Sequence, residues 1–67
     1  MTPAELGKLV RETRRAGGLT QDQLAGAAGV GVRFLIELEA GKPTAQLGKA
    51  LSVLATLGCR LRIETPS

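Results

Sequence analysis

The stretch TQDQLAGAAGVGVRFLIELEAGK, Thr20 to Lys42, reads as two short amphipathic helices separated by a glycine turn and closed by a glycine stop. Thr20 can cap the first of them, and Gln23 three residues on completes a capping box. Leu24, Ala25 and Ala28 then form a small apolar face, while Gly26 inside it costs about 1 kcal/mol relative to alanine, so this helix depends on packing. Gly29-Val30-Gly31 forms the turn, with Gly29 where a positive φ is needed. The next helix is expected from Val32 to about Ala40, with Leu35 and Leu38 facing inward and Gly41 ending it.

On the N-terminal side, Thr2-Pro3-Ala4-Glu5 opens another helix, with a capping threonine, a proline at the first helical position and a glutamate three residues after the cap. Leu6, Leu9, Val10 and Thr13 share one face, Lys8, Arg11, Glu12, Arg14 and Arg15 occupy much of the rest, and Gly17-Gly18 stop it. On the C-terminal side, Thr44 is expected to cap a fourth helix in which Leu47, Ala50, Leu51, Leu54 and Leu57 follow the helical period to Gly58. Cys59-Arg60-Leu61-Arg62-Ile63-Glu64 then alternates apolar and polar residues, the pattern of a half-buried strand. Thr65-Pro66-Ser67 reads as a frayed end. No other segment reads as a strand, and one strand cannot satisfy its own backbone hydrogen bonds. Two readings follow: the strand pairs antiparallel with its copy across a two-fold axis, or residues 59–64 are an irregular tail on their own subunit.

Composition narrows the functions. Sixty-seven residues make a single domain, 1–67, which buries only about 60% of its unfolded surface and so favours an oligomer. Nine Lys and Arg against six Asp and Glu give a net charge of +3, which suits an anionic partner. With no histidine and one cysteine, a disulfide framework and a Cys/His zinc site are excluded, and a reducing cytoplasm is the natural setting. The apolar run from Ala50 to Gly58 is too short to span a bilayer, so no membrane partner is expected. One aromatic residue, Phe34, makes no stacking platform for single-stranded nucleic acid. Catalysis is not expected either. No phosphate-binding glycine loop with Lys-Ser/Thr is present, and neither Ser52 nor Cys59 has a base at hand; no metal or cofactor is expected.

Leu24, Ala25, Gly29, Val30, Leu35 and Leu38 are small or apolar where two crossing helices must touch, which predicts a helix-turn-helix over 20–39. Such a unit places one helix in a DNA groove while the other braces it. The series Thr20-Gln21-Asp22-Gln23-Leu24-Ala25, Ala28-Gly29-Val30 and Leu38-Glu39-Ala40-Gly41-Lys42 resembles the Cro/phage-repressor (XRE) helix-turn-helix family. Val32 to Ala45, the helix after it and the Leu-Gly-Cys-Arg-Leu-Arg-Ile-Glu segment resemble the HipB-type antitoxin branch. The resemblance covers nearly the whole chain. It implies an all-α, four-helix, lambda-repressor-like domain with a short C-terminal β-strand, 59–64, pairing across a dimer.

The resemblance also implies that the third helix enters the major groove, with Val32, Arg33, Ile36 and Glu37 at the base edges. Arg33 is the best candidate reader, since a guanidinium can bond guanine O6 and N7 together. An intrahelical pair with Glu37 is its other role, and the two are compatible if binding releases it. Val32 can meet a thymine methyl. Ile36 departs from the family, where a small polar residue is common, and fits either a DNA methyl or a protein contact. Gly31 departs too, at a position where serine or threonine usually caps. Phe34 fits the core better than a base wedge. Phosphate contacts are expected from the motif's edges: Gln21 at a helix N-terminus, Lys42 and Thr44 after the recognition helix, and Arg11 and Arg15. By the resemblance, Arg14 and Glu39 form a structural, semi-buried ion pair between the first and third helices.

The expected partners are double-stranded operator DNA and a second copy of the chain, with two recognition helices about 34–36 Å apart. The branch resemblance adds a HipA-like serine/threonine kinase toxin, which this chain would neutralise through folded surface because only three residues follow the strand. A repressor without a toxin, and an interaction module that kept the fold but not DNA binding, are the alternatives.

Overall fold

Two reciprocal capping boxes start the first half of the molecule. Thr2 Oγ1 accepts from the Glu5 amide at 3.1 Å while Glu5 returns a carboxylate to the Thr2 amide at 2.9 Å. Thr20 and Gln23 repeat the exchange at 3.1 and 2.8 Å. The computed structural model describes residues 1–66, and the expected frayed end at Ser67 lies outside them. Its helices are α1 (Pro3–Ala16), α2 (Gln21–Ala28), α3 (Val32–Glu39) and α4 (Leu47–Thr56).

All four helices close in the same way. A glycine with positive φ follows each, and the residue after it donates its N–H five residues back: Leu19 to Arg14, Val30 to Ala25, Lys42 to Glu37 and Cys59 to Leu54, at 2.9–3.1 Å. Leu19, Val30 and Cys59 then pack against the core, as the motif favours. Lys42 is the exception, because its side chain turns outward.

Packing follows from small residues at the crossings. α1 lies on α3, and α2 contacts both α3 and α4. The α1–α3 approach depends on Gly7, which is buried: a Cβ there would sit 2.4 Å from the Leu38 carbonyl oxygen and 2.7 Å from that of Glu39. The core between the helices is Val10, Leu24, Ala25, Leu35, Leu38, Ala50, Val53 and Leu54, with Phe34 half-buried against it.

Two expectations need correction. Thr44 does not cap α4; the N-cap is Gln46, with no side-chain bond, and the helix starts at Leu47. The buried stripe of α4 is Ala50, Val53 and Leu54, whereas Leu47 and Leu51 are exposed. Leu47 occupies the first helical position, so its side chain leans off the helix end rather than onto a preceding turn. In the single chain the expected strand of Cys59, Arg60, Leu61, Arg62, Ile63 and Glu64 is not formed. Residues 59–66 have no regular secondary structure, because no other described segment supplies the ladder a strand needs. Arg62 Nε lies 3.5 Å from Glu64 Oε1, while Leu61 and Ile63 are exposed, Ile63 at 80%.

Candidate nucleic-acid interface

α3 buries Leu35 and Leu38 and turns Val32, Arg33, Ile36 and, in part, Glu37 outward. These residues stand at i, i+1, i+4 and i+5, so they form one stripe along the helix. Gly31 caps α3 with no side-chain hydrogen bond. The Arg33 side chain is 93% exposed and reaches Glu37 Oε1 at 3.4 Å.

A cationic cleft borders each side of this stripe. The first, about 310 Å³, is lined by Arg11, Arg14, Arg15, Gln21, Ile36, Glu39 and Ala40. It brings the three expected phosphate ligands from α1 and α2 to one edge of α3. Among the described residues, neither Arg11 nor Arg15 is in an ion pair. The second, about 290 Å³, is lined by Arg33, Phe34, Glu37, Lys42, Thr44, Ala45, Gln46 and Lys49. It joins the expected Lys42 and Thr44 to a residue that sequence reasoning missed. Lys49 Nζ stands 5.7 Å from the centre of the Phe34 ring, a cation–π arrangement that holds the ammonium beside α3. Nothing local marks Lys49, since it sits in the first turns of a helix whose start was misplaced.

Behind the stripe lies a buried hydrogen-bond network. Arg14 donates through Nε to Glu39 Oε2 at 2.7 Å and through Nη2 to Glu39 Oε1 at 3.0 Å, and Nη1 bonds the Leu19 carbonyl at 2.8 Å. The two side chains are 10% and 4% exposed. The hydrogen bonds to Glu39 raise the Arg14 pKa above its ordinary value, against the opposing pull of burial. Gln21 Nε2 adds a bond to Glu39 Oε1 at 3.2 Å, so the amide at the α2 N-terminus is tethered to the ion pair. Among the described residues no buried side-chain nitrogen or oxygen lacks a partner.

Glu37 has two cationic neighbours. Lys42 Nζ donates to its Oε2, and Arg33 lies at Oε1. The hydrogen bond and charge of Lys42, followed by Arg33, lower the Glu37 pKa from the ordinary 4.5.

Charge is distributed unevenly. Arg11, Arg15, Arg33, Lys42 and Lys49 face the stripe and its clefts against Glu37 alone, with Arg14 and Glu39 cancelling. The residues lining neither cleft are Lys8, Arg60 and Arg62 against Glu5, Glu12, Asp22 and Glu64. The modest net charge of +3 therefore conceals one strongly basic face and a remainder that is slightly acidic. Among the described residues no group of three or more Cys, Asp or Glu side chains is placed to hold a metal, and no helix is long and apolar enough to cross a membrane.

A family model described as helix-turn-helix matches residues 10–63. Over 65 residues the chain is 62% identical to an uncharacterized HTH-type transcriptional regulator, y4mF, of Sinorhizobium fredii, covering 97% of this chain and 86% of that protein.

Proposed function

Since the chain belongs to the helix-turn-helix family of DNA-binding transcriptional regulators, we propose that it is a dimeric, sequence-specific repressor that places α3 in the major groove of its operator. The family is one of regulators rather than enzymes. The observation that carries the more detailed reading is the basic face. An exposed helix about 10 Å across fits a groove about 12 Å wide, and a cationic cleft on each side of it meets the two phosphate backbones that border that groove. Arg11, Arg15 and Gln21 take one backbone, and Lys42, Thr44 and Lys49 the other. Arg33, helped by Val32 and Ile36, reads base edges.

Dimerisation through residues 59–64 is part of the proposal. Leu61 and Ile63 are exposed on their own subunit, and among the described residues the backbone around them has no ladder partner. The resemblance to HipB-type antitoxins extends the reading to an autoregulating antitoxin of a HipA-like serine/threonine kinase. That extension rests on the resemblance, and on exposed Leu47 and Leu51 as surface for a protein partner. The apolar Val32 and Ile36 on the α3 stripe favour one rival, a protein-interaction module on the same fold.

Binding to the DNA upstream of the gene, titrated against salt by fluorescence anisotropy, separates these readings. A DNA reader loses affinity linearly in log salt, with a slope of about −0.9 per phosphate neutralised. Arg11→Gln is expected to weaken binding on every sequence and to flatten the slope by about 0.9. Arg33→Ala is expected to cost about 1–3 kcal/mol on the preferred site only. A folded protein that retards no duplex at low salt defeats the repressor reading. The antitoxin extension fails if no kinase co-purifies with the tagged protein from its own cells.

A further inference from the structure

The end of α3 differs from the other three helix ends. Each helix closes on a left-handed glycine, and the next residue packs into the core at Leu19, Val30 and Cys59. After α3 that residue is Lys42. Its backbone N–H donates to the Glu37 carbonyl at 3.1 Å, and its ammonium donates to the Glu37 carboxylate. Arg33, one turn before Glu37, approaches the other carboxylate oxygen at 3.4 Å. One carboxylate thus holds both the cation best placed to read a base and a cation placed for a phosphate. We propose that Glu37 is a specificity-determining residue that withholds Arg33 and Lys42 from any duplex that offers its carboxylate no donor.

This inference rests on the DNA-binding reading above. As α3 approaches a duplex, phosphates compete for Arg33 and Lys42. Giving them up leaves Glu37 facing a polyanion, which disfavours binding to arbitrary sequence. Where a cytosine amine donates to the carboxylate, the released group keeps a hydrogen-bond partner, and both cations engage DNA. Glu37 therefore acts by rejecting wrong sequences more than by attracting the right one.

The test compares wild type with Glu37→Gln on two probes, a random-sequence duplex and a duplex selected by the wild-type protein from a random pool. Circular dichroism confirms that the variant folds. Removing the carboxylate adds about one neutralised phosphate, so at about 0.1 M salt the random duplex is bound about tenfold more tightly, with a salt slope steeper by about 0.9. The selected duplex loses its contact to the carboxylate and so tightens less than the random one or weakens, and the ratio of the two affinities falls. In a Lys42→Gln background the gain on random DNA falls to about threefold or less, because one of the two restrained cations is gone. Equal tightening on both probes, or no change on either, overturns the inference while leaving DNA binding intact. Wild-type protein that binds neither probe in a salt-dependent way overturns the DNA-binding reading, and this inference with it.

Discussion

Arg14 and Arg15 are adjacent arginines on one helix, and nothing in local pattern separates them, yet the structure gives them opposite environments. Arg15 is exposed beside an open cleft, whereas Arg14 is buried with three hydrogen bonds, two of them to Glu39. Only the resemblance distinguished them in the sequence, because burial of a charge depends on a partner 25 positions away. Buried pairs of this kind are asymmetric in their energetics. Truncating one member strands the other charge, at a cost of about 3–5 kcal/mol, whereas replacing both by apolar residues is often nearly neutral. Glu39→Ala should therefore lower the unfolding free energy by about 3–5 kcal/mol in urea titrations, and Arg14→Met with Glu39→Leu should recover most of it. Glu39→Ala also frees the Gln21 amide, so the double variant should fold well yet bind DNA more weakly than wild type. A loss under about 1 kcal/mol in Glu39→Ala would mean that the pair is structurally idle.

Glycines show how the same substitution changes sign with its surroundings. Gly26 lies inside α2 with nothing within 4 Å of an added Cβ, so Gly26→Ala should stabilise by about 0.5–1 kcal/mol. Gly7 lies inside α1, where a Cβ would collide with two α3 carbonyls, so Gly7→Ala should destabilise by at least about 2 kcal/mol. Thermal melts of the two variants should move in opposite directions, and a stabilised Gly7→Ala would contradict the observed α1–α3 approach. The capping box of α1 gives a pH prediction. Bonds from the Thr2 backbone and then its hydroxyl lower the Glu5 pKa below the ordinary 4.5. A depressed carboxylate stabilises the fold above its unfolded value and loses that contribution as pH falls through its folded value. Melting temperature should therefore decline on acidification below about pH 4.5, and Glu5→Gln should flatten the decline. Capping boxes, glycine stops and the helix-turn-helix spacing were legible because each is a local pattern with a local cause. The Gly7 contact, the start of α4, the burial of Val53 and the position of Lys49 over Phe34 were not, because each is decided by what another helix brings to it.

A domain of 67 residues with Leu47, Leu51, Leu61 and Ile63 all exposed leaves apolar surface that its own core does not use. The alternation through residues 59–64 was legible as a strand pattern, but a strand exists only where a second backbone completes its hydrogen bonds, and this is a property of an assembly. In the proposed dimer the two tails pair antiparallel, so a substitution in one tail appears twice across the two-fold axis. Burying an Ile or Leu side chain stabilises by about 1.5–3 kcal/mol, so losing two copies costs at least about 3 kcal/mol, more than a hundredfold in the dimer dissociation constant. Ile63→Asp and Leu61→Asp should each shift sedimentation equilibrium toward monomer by that factor without lowering helix content. A monomer can occupy only one half-site, so both variants should also lose most affinity for a two-half-site duplex while keeping wild-type affinity for a single half-site. If Ile63→Asp sediments and binds as wild type does, the tails are surface rather than interface. In that event the spacing between recognition helices must be set elsewhere, with the exposed Leu47 and Leu51 of α4 as the next surface to substitute.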